Sequence, residues 1–248
     1  PCDLTKILKI AARHNLPIIE DAACAIGSEI NINGSWEKIG KPHSDIACFS
    51  FHPRKVITTG DGGMLTTRKK IWDTKFRLLR HHGMNISDEI RHRSKDIIFE
   101  TYPEAGYNYR MTDIQGAIGR EQILRLPDII TERRQLAQEY FIQFKNWPEL
   151  GLPKEPKFAR SNWQSFCVRL PPKNDQKSIM QAMQDRSIAT RRGIMCCHRE
   201  LPYQNIQPPG DLDYSEKAQD QCILLPLYPG LSKQRQQKVV ENLMEVCQ

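Results

Sequence analysis

The first part of the chain alternates amphipathic stretches with short apolar runs. Asp3 can cap a helix whose apolar positions fall on one stripe, and Asn15 is a suitable end for it. Apolar runs follow at residues 16–19, 45–51 and 63–67, and a helical pattern covers residues 69–82. Strands without clean polar alternation, separated by helices, are typical of a mostly parallel sheet covered on both faces. The pattern therefore predicts an α/β domain.

The rest of the chain has a different order of predicted helices and strands. Thr112 and Gln115 form a capping box at the head of a helical pattern, which Pro127 interrupts before the pattern resumes. Strands are then predicted at residues 166–170 and near 188–190, and helices at 175–186 and 234–246. This order is typical of a smaller α+β domain. We therefore predict two domains, residues 1–127 and residues 128–248.

Composition narrows the class of protein. The 248 residues are 39% hydrophobic, enough for a substantial core. No apolar run approaches the roughly 18 residues of a membrane span, and the N-terminal stretch lacks a signal core, so we expect a cytoplasmic protein without a membrane partner. Eight irregularly spaced cysteines without a CxxC pair favour reduced thiols. A metal at Cys196-Cys197-His198 is the weaker interpretation, because adjacent cysteines chelate one ion poorly.

The charge leaves two interpretations of the basic surface. The formal net charge is +7, and its densest source is residues 77–95. That segment contains acids and lacks interleaved aromatics, so it fits no nucleic-acid module. A solvated face or a site for a phosphorylated small molecule is favoured, and no nucleic-acid partner is expected.

Polar side chains follow two of the predicted strands. Asp21 follows the first apolar run, Ser50 lies near the end of the second, and Lys55 comes five residues later, before the hydroxyl- and glycine-rich turn of residues 58–63. Ligands collect beyond the carboxyl ends of parallel strands. A capping aspartate and a solvent-exposed lysine are the commoner roles of such residues. Together, however, these groups are what pyridoxal phosphate (PLP) requires: an amine, a carboxylate for the ring nitrogen and a phosphate cup.

Three motifs carry a resemblance to a known family. They are IIEDAACAIGSE at residues 18–29, SDIACFSFHPRKVITTGDGGM at 44–64 and GYNYRMTDIQGAIGREQ at 106–122. In order and spacing the chain resembles the DegT/DnrJ/EryC1/StrS family of PLP-dependent sugar aminotransferases. The resemblance implies PLP-transferase fold type I, with residues 1–127 as the C-terminal part of the large PLP-binding domain and 128–248 as the small domain.

The resemblance assigns roles to particular residues. Lys55 matches the lysine that bonds to PLP and later moves a proton between substrate and cofactor. Asp21 matches the aspartate that keeps the pyridine nitrogen protonated, and Ser50 matches the hydroxyl that holds the phosphate. Asn108 matches a residue that reaches the phosphate from the neighbouring subunit of a homodimer with shared active sites, and Arg110 lines the same region.

The chain also departs from the family pattern. Cys24 stands where many members carry glutamine or histidine to contact the ring oxygen of the cofactor, and a thiol is a weak donor. Asp61 stands where glutamate is usual. The chain opens at a point that corresponds to the middle of the large domain, so we expect either a fragment or a chain that a partner completes. We expect the isolated chain to bind PLP weakly.

The implied activity is the transfer of an amino group, usually from glutamate, to a keto sugar attached to a nucleotide. Lysine at position 55 favours the transferases over dehydrating relatives, which carry histidine there. A catalytically incompetent fragment or paralogue with a binding or regulatory role is the alternative, and a basic nucleic-acid binder is the least favoured hypothesis.

Overall fold

The computed structural model describes residues 1–41, 43–207 and 210–248, and the side chains of these residues except 88 and 89. The helices are α1 (Leu4–His14), α2 (Lys70–Leu79), α3 (Asp88–Arg93), α4 (Asp113–Gln143), α5 (Gln176–Asp185), α6 (Asp213–Gln221) and α7 (Lys233–Val246). The strands are β1 (Ile19–Asp21), β2 (Glu29–Ile32), β3 (Ser35–Lys38), β4 (Ile46–Ser50), β5 (Gly63–Thr67), β6 (Ala159–Arg160), β7 (Phe166–Arg169), β8 (Arg191–Arg192) and β9 (Cys222–Leu225).

The described chain forms two compact units. The first unit consists of residues 1–127 and 157–160, and the second of residues 128–156 and 161–248. The assignment of these parts to a large PLP-binding domain and a small domain stays a prediction. In the described residues, no helix is long and apolar enough to cross a membrane.

The sheet that carries the predicted site residues has the order β1-β4-β5. β1 and β4 run parallel, with Asp21 opposite Cys48, whereas β4 and β5 run antiparallel, with Ser50 opposite Gly63. The prediction of a mostly parallel sheet was therefore wrong in this detail, because the sheet is mixed. The loop of residues 51–62 contains no helix, so the chain turns back beside β4 instead of crossing over the sheet.

Local signals placed the first helix correctly. The Asp3 carboxylate accepts a hydrogen bond from the Lys6 N–H at 3.2 Å, and Asn15 ends the helix with a left-handed φ of 50°. Leu4 and Ala11 are the buried residues of α1. The cluster of buried residues that includes Leu4 is small; the others are Ala22, Ile30, Ile39 and Ala47.

The first unit also contains a hairpin that the apolar pattern did not predict. β2 and β3 pair antiparallel around Asn33 and Gly34, both with positive φ. An Asn-Gly pair in this conformation is the preferred two-residue hairpin turn. The Asn31 side chain accepts a bond from the Gly34 N–H at 2.9 Å, and β6 adds a third strand.

Helix α4 is continuous, and the predicted interruption at Pro127 was wrong. Its capping box is present: the Gln115 N–H donates to the Thr112 hydroxyl at 3.2 Å, and the Thr112 N–H donates to the Gln115 side chain at 2.9 Å. A proline inside a helix costs about 3 kcal/mol. Burial of each large aliphatic side chain contributes about 1.5–3 kcal/mol, and Ile129 and Ile130 are both buried, which offsets that cost.

The second unit is built around the antiparallel sheet β7-β9-β8. The predicted strand near residues 188–190 lies slightly later, at β8, and the final helix matches the prediction within one residue at its start. The core includes Tyr140, Phe144 and Phe166, whose rings stack or tilt against each other. Three polar side chains of this unit are also buried, namely Arg133, Asn162 and Gln236. Arg133 donates to the carbonyls of Trp163 and Gln164, at 3.0 and 2.8 Å.

Candidate active site

The carboxyl ends of β1 and β4 bring four of the predicted residues to one edge of the sheet. Asp21 is the last residue of β1 and Ser50 the last of β4. Cys24 follows in the loop after β1, and Lys55 in the loop after β4. The Lys55 amine donates to the Cys24 sulfur across a distance of 3.0 Å. The two loops therefore meet beyond the carboxyl ends of the parallel strands β1 and β4, where ligands collect in such sheets.

The Asp21 carboxylate is exposed and accepts a hydrogen bond from a nearby backbone N–H. One oxygen accepts a hydrogen bond from the Ala23 N–H at 3.0 Å. Burial raises the pKa of the neighbouring Cys48 thiol, and the negative charge of Asp21 raises it further. In the described ranges, no ion pair involves Asp21. The carboxylate can therefore accept a cationic partner such as a protonated ring nitrogen.

The Ser50 hydroxyl lies at the start of a compact turn. It accepts a hydrogen bond from the His52 N–H at 3.3 Å, which leaves the hydroxyl hydrogen able to donate to another group. The Lys55 N–H donates to the His52 carbonyl at 2.9 Å, and the His52 ring accepts from the Arg54 N–H at 3.2 Å. These local bonds fix the backbone that presents Lys55.

The turn of residues 58–63 does not form the phosphate cup that its hydroxyls and glycines suggested. The Thr58 hydroxyl donates to the Phe51 carbonyl at 2.7 Å, and the Thr59 hydroxyl donates to the Asp61 carbonyl at 2.6 Å. The N–H groups of Thr59, Gly60 and Gly62 also bond within the loop. These donors are already used, so the turn shapes the backbone behind Lys55 and leaves Ser50 as the better phosphate donor.

Asn108 lies on a different segment of the first unit. It pairs with His81 in an isolated bridge, and the neighbouring Tyr107 N–H donates to the Leu79 carbonyl at 2.7 Å. Asn108 is exposed, and Tyr107 and Tyr109 stack beside it with ring centroids 5.0 Å apart. Asn108 thus lies on a segment that is separate in sequence from the loops carrying Asp21 and Lys55. Its contribution from a second subunit stays a prediction.

Three arginines gather around one cavity of the first unit. Arg77, Arg80 and Arg110 line a space of about 660 Å³. Burial lowers the pKa of the Arg80 guanidinium, and the like charges of Arg77 and Arg110 lower it further. Arg77 also pairs with Asp73 at 2.8 Å. The sequence indicated a basic segment but not the approach of Arg110, which is distant along the chain.

The histidine of the Cys196-Cys197-His198 cluster is already paired. The His198 ring lies 2.8 Å from the Glu216 carboxylate, and the Cys196 sulfur lies 3.2 Å from the Ser215 carbonyl. Across residues 1–41, 43–207 and 210–248, no three histidine, cysteine or acidic side chains are grouped as metal ligands.

The fold places the chain in a class, the proteins of PLP-transferase fold type I. Residues 1–244 match the model of the DegT/DnrJ/EryC1/StrS aminotransferase family. The chain belongs to this family, which is PLP-dependent, and the resemblance noted in the sequence is confirmed.

Individual relatives agree with this assignment. The chain is 31% identical to MJ1066 of Methanocaldococcus jannaschii, over 94% of this chain and 60% of the relative. It is 28% identical to the spore coat polysaccharide biosynthesis protein SpsC of Bacillus subtilis, over 99% of this chain and 63% of the relative. The crystal structure of DesV from S. venezuelae superposes with a TM-score of 0.85 at 28% identity, over 100% of this chain and 62% of DesV. The chain thus spans about three fifths of the length of these proteins.

Proposed function

We propose that the chain carries the lysine-bearing part of an aminotransferase that moves an amino group from glutamate to a keto sugar attached to a nucleotide. The observation that supports this most strongly is the contact between Lys55 and Cys24. It brings the amine to the loop that starts at Asp21, beside the end of β4 at Ser50. Family membership supplies the class of reaction, and the name of SpsC supports a role in building polysaccharides.

The side chains at the strand ends fit PLP by their chemistry. When bound, PLP supplies an electron sink for a carbanion at the substrate carbon. Asp21 offers a carboxylate that favours the protonated ring nitrogen, and Ser50 offers a hydroxyl hydrogen for the phosphate. Lys55 offers the primary amine that bonds to the aldehyde and carries a proton to and from the substrate carbon.

The structure gives Cys24 a further part in this proposal. Its sulfur accepts a hydrogen bond from the Lys55 amine, and this contact orients the amine. A thiol is a weak acceptor, which holds the lysine without trapping it in an ion pair. Cys24 is therefore a positioning residue for Lys55.

The arginine cluster supports an anionic substrate. The diphosphate of a nucleotide sugar is a strong acceptor for guanidinium groups. Arg80 is partly buried between two like charges, an arrangement that a bound anion stabilises. A homodimer with shared active sites is the accompanying proposal, since Asn108, Tyr107 and Tyr109 are exposed and available to a second subunit.

The donor half-reaction tests the proposed activity. The chain at saturating PLP is mixed with glutamate, and the release of 2-oxoglutarate is measured for the wild type, Lys55→Ala and Lys69→Ala. Lys69 is a matched control because its amine pairs with Asp45 at 2.8 Å on the surface. Release that is lost in Lys55→Ala and kept in Lys69→Ala supports the proposal. Release that is kept in Lys55→Ala contradicts the proposal, and wild-type release that does not exceed the protein-free background contradicts it and favours a non-catalytic role.

A further inference from the structure

Two cysteines of the second unit lie on neighbouring strands. In the antiparallel pair β7 and β9, Cys167 is opposite Leu224, and Cys222 is opposite Arg169. Val168 and Ile223, which alternate with the cysteines, are fully buried, so both thiols lie on the other face of the sheet. The cysteines therefore occupy a diagonal cross-strand position on one face of the sheet.

Gly193 shows how close the two side chains are. Its N–H donates to the Cys222 carbonyl at 2.7 Å, which places it beside Cys222 at the end of β8. A Cβ atom built on Gly193 lies 2.7 Å from the Cys222 Cβ and 2.8 Å from the Cys167 sulfur. Both atoms thus border the same small space, and the glycine leaves that space open. The Cys167 sulfur therefore lies directly beside the Cys222 side chain.

Small molecules in solution can reach this pair. Both cysteines are partly exposed and line one open cavity of about 400 Å³, together with Arg169 and Lys217. Arg169, which is opposite Cys222 in the sheet, and Lys217 bring positive charge to this cavity. Burial, assisted by the neighbouring Cys222, raises the pKa of Cys167 to about 12, so Cys167 keeps its proton at neutral pH. The two thiols thus differ in the role that each can play.

We propose that Cys167 and Cys222 form a redox-active dithiol that a peroxide closes to an intramolecular disulfide. The Cys222 sulfur attacks a peroxide oxygen, the O–O bond breaks, and the departing hydroxide takes up the Cys222 thiol proton to leave as water. The Cys167 sulfur then attacks the oxidised Cys222 sulfur. The S–O bond breaks, and hydroxide leaves as water with the Cys167 proton. Two thiols are oxidised, and one hydrogen peroxide molecule is reduced to two waters.

Peptide mapping after peroxide treatment tests this proposal. The full chain is treated with hydrogen peroxide, free thiols are blocked with an alkylating reagent, and cysteine-containing peptides are identified by mass spectrometry. We expect a linked Cys167–Cys222 peptide that dithiothreitol separates. The linked peptide is kept in the control Cys197→Ser, because Cys197 is exposed and lies outside the cavity.

Three variants separate the steps. Cys222→Ser abolishes the linked peptide, and Cys167→Ser leaves a sulfenic acid on Cys222 that dimedone traps. Gly193→Ala places a methyl group in the shared space and lowers the yield of the linked peptide. The proposal is overturned if Cys167 and Cys222 are recovered separately alkylated while Cys197 is oxidised. Linkage of either residue to another cysteine overturns it as well.

Discussion

The hydroxyl of Tyr140 provides a quantitative test of the packing in the second unit. The side chain is fully buried, and its hydroxyl donates to the Pro226 carbonyl at 2.7 Å. Tyr140→Phe keeps the ring, which packs against Phe144 and Phe166, and removes only this donor. An intramolecular hydrogen bond contributes about 0.5–1.5 kcal/mol, and a buried acceptor left without a partner costs about 1–3 kcal/mol. We therefore expect a loss of about 1–3 kcal/mol in the free energy of unfolding.

Hydrogen exchange in increasing urea measures this loss unit by unit. Because the chain has two compact units, a single unfolding transition is not assumed, and peptides from the second unit are followed separately. Tyr214→Phe is the matched control, since its ring is 90% exposed and we expect a change below about 0.5 kcal/mol. Equal unfolding midpoints for the two variants would refute the assigned role of the Tyr140 hydroxyl.

The contribution of Tyr140 to the free energy of unfolding should also depend on pH in alkaline solution. Burial raises the pKa of Tyr140 above its ordinary value of 10.0, so the folded state disfavours the phenolate. The unfolded chain loses this proton more readily, and stability falls as the pH rises above about 10. The difference in free energy of unfolding between the wild type and Tyr140→Phe should therefore narrow above this pH. A difference that stays constant into alkaline solution would contradict the assigned burial.

Three further substitutions test other parts of the first unit. Gly116→Ala, which meets open space in α4, should stabilise the helix by about 0.5–1 kcal/mol, whereas Gly119→Ala brings its Cβ within 3.1 Å of Thr59 and should gain less. Hydrogen exchange of first-unit peptides in increasing urea compares the unfolding midpoints of the two glycine variants. Equal gains in stability would count against the packing of α4 on the turn of residues 58–63. The Lys69 ammonium, followed by the Ile18 N–H, lowers the pKa of Asp45, so its contribution is complete above about pH 4 and is lost as the pH falls further. Asp45→Asn should therefore destabilise the first unit at neutral pH, and this loss should shrink as the pH falls below about 4. A loss that does not change with pH would disprove the ion pair's role.

Local signals in the sequence were sufficient for the helix ends. Asp3 and Thr112 cap their helices with bonds to residues three positions away, so the sequence neighbourhood contains all the information. The direction of β5 depends on how the loop after β4 folds back, and short-range patterns do not contain that. The continuity of α4 through Pro127 depends on burial of Ile129 and Ile130, which is a tertiary effect. The Asn33-Gly34 hairpin did have a local signal, and that signal was overlooked.

The candidate site also has features that the sequence could predict and features that depend on the three-dimensional fold. The parallel register of β1 and β4 explains why Asp21 and Lys55 could be placed at one edge before any coordinates. The hydroxyls of Thr58 and Thr59 were misjudged, because composition shows that a donor exists but not which carbonyl already accepts from it. The contact of Lys55 with Cys24 depends on the path of two loops and is visible only in three dimensions.

The proposal that Lys55 and Asp21 together bind PLP can be tested by identifying the lysine that reacts with PLP. The chain is incubated with saturating PLP, reduced with borohydride and digested, and the modified peptides are mapped by mass spectrometry, with Asp21→Asn as a companion variant. We expect modification at Lys55 in the wild type and less modification at Lys55 when the Asp21 carboxylate is removed. Modification confined to surface lysines such as Lys69, with Lys55 recovered unmodified, would contradict the proposal.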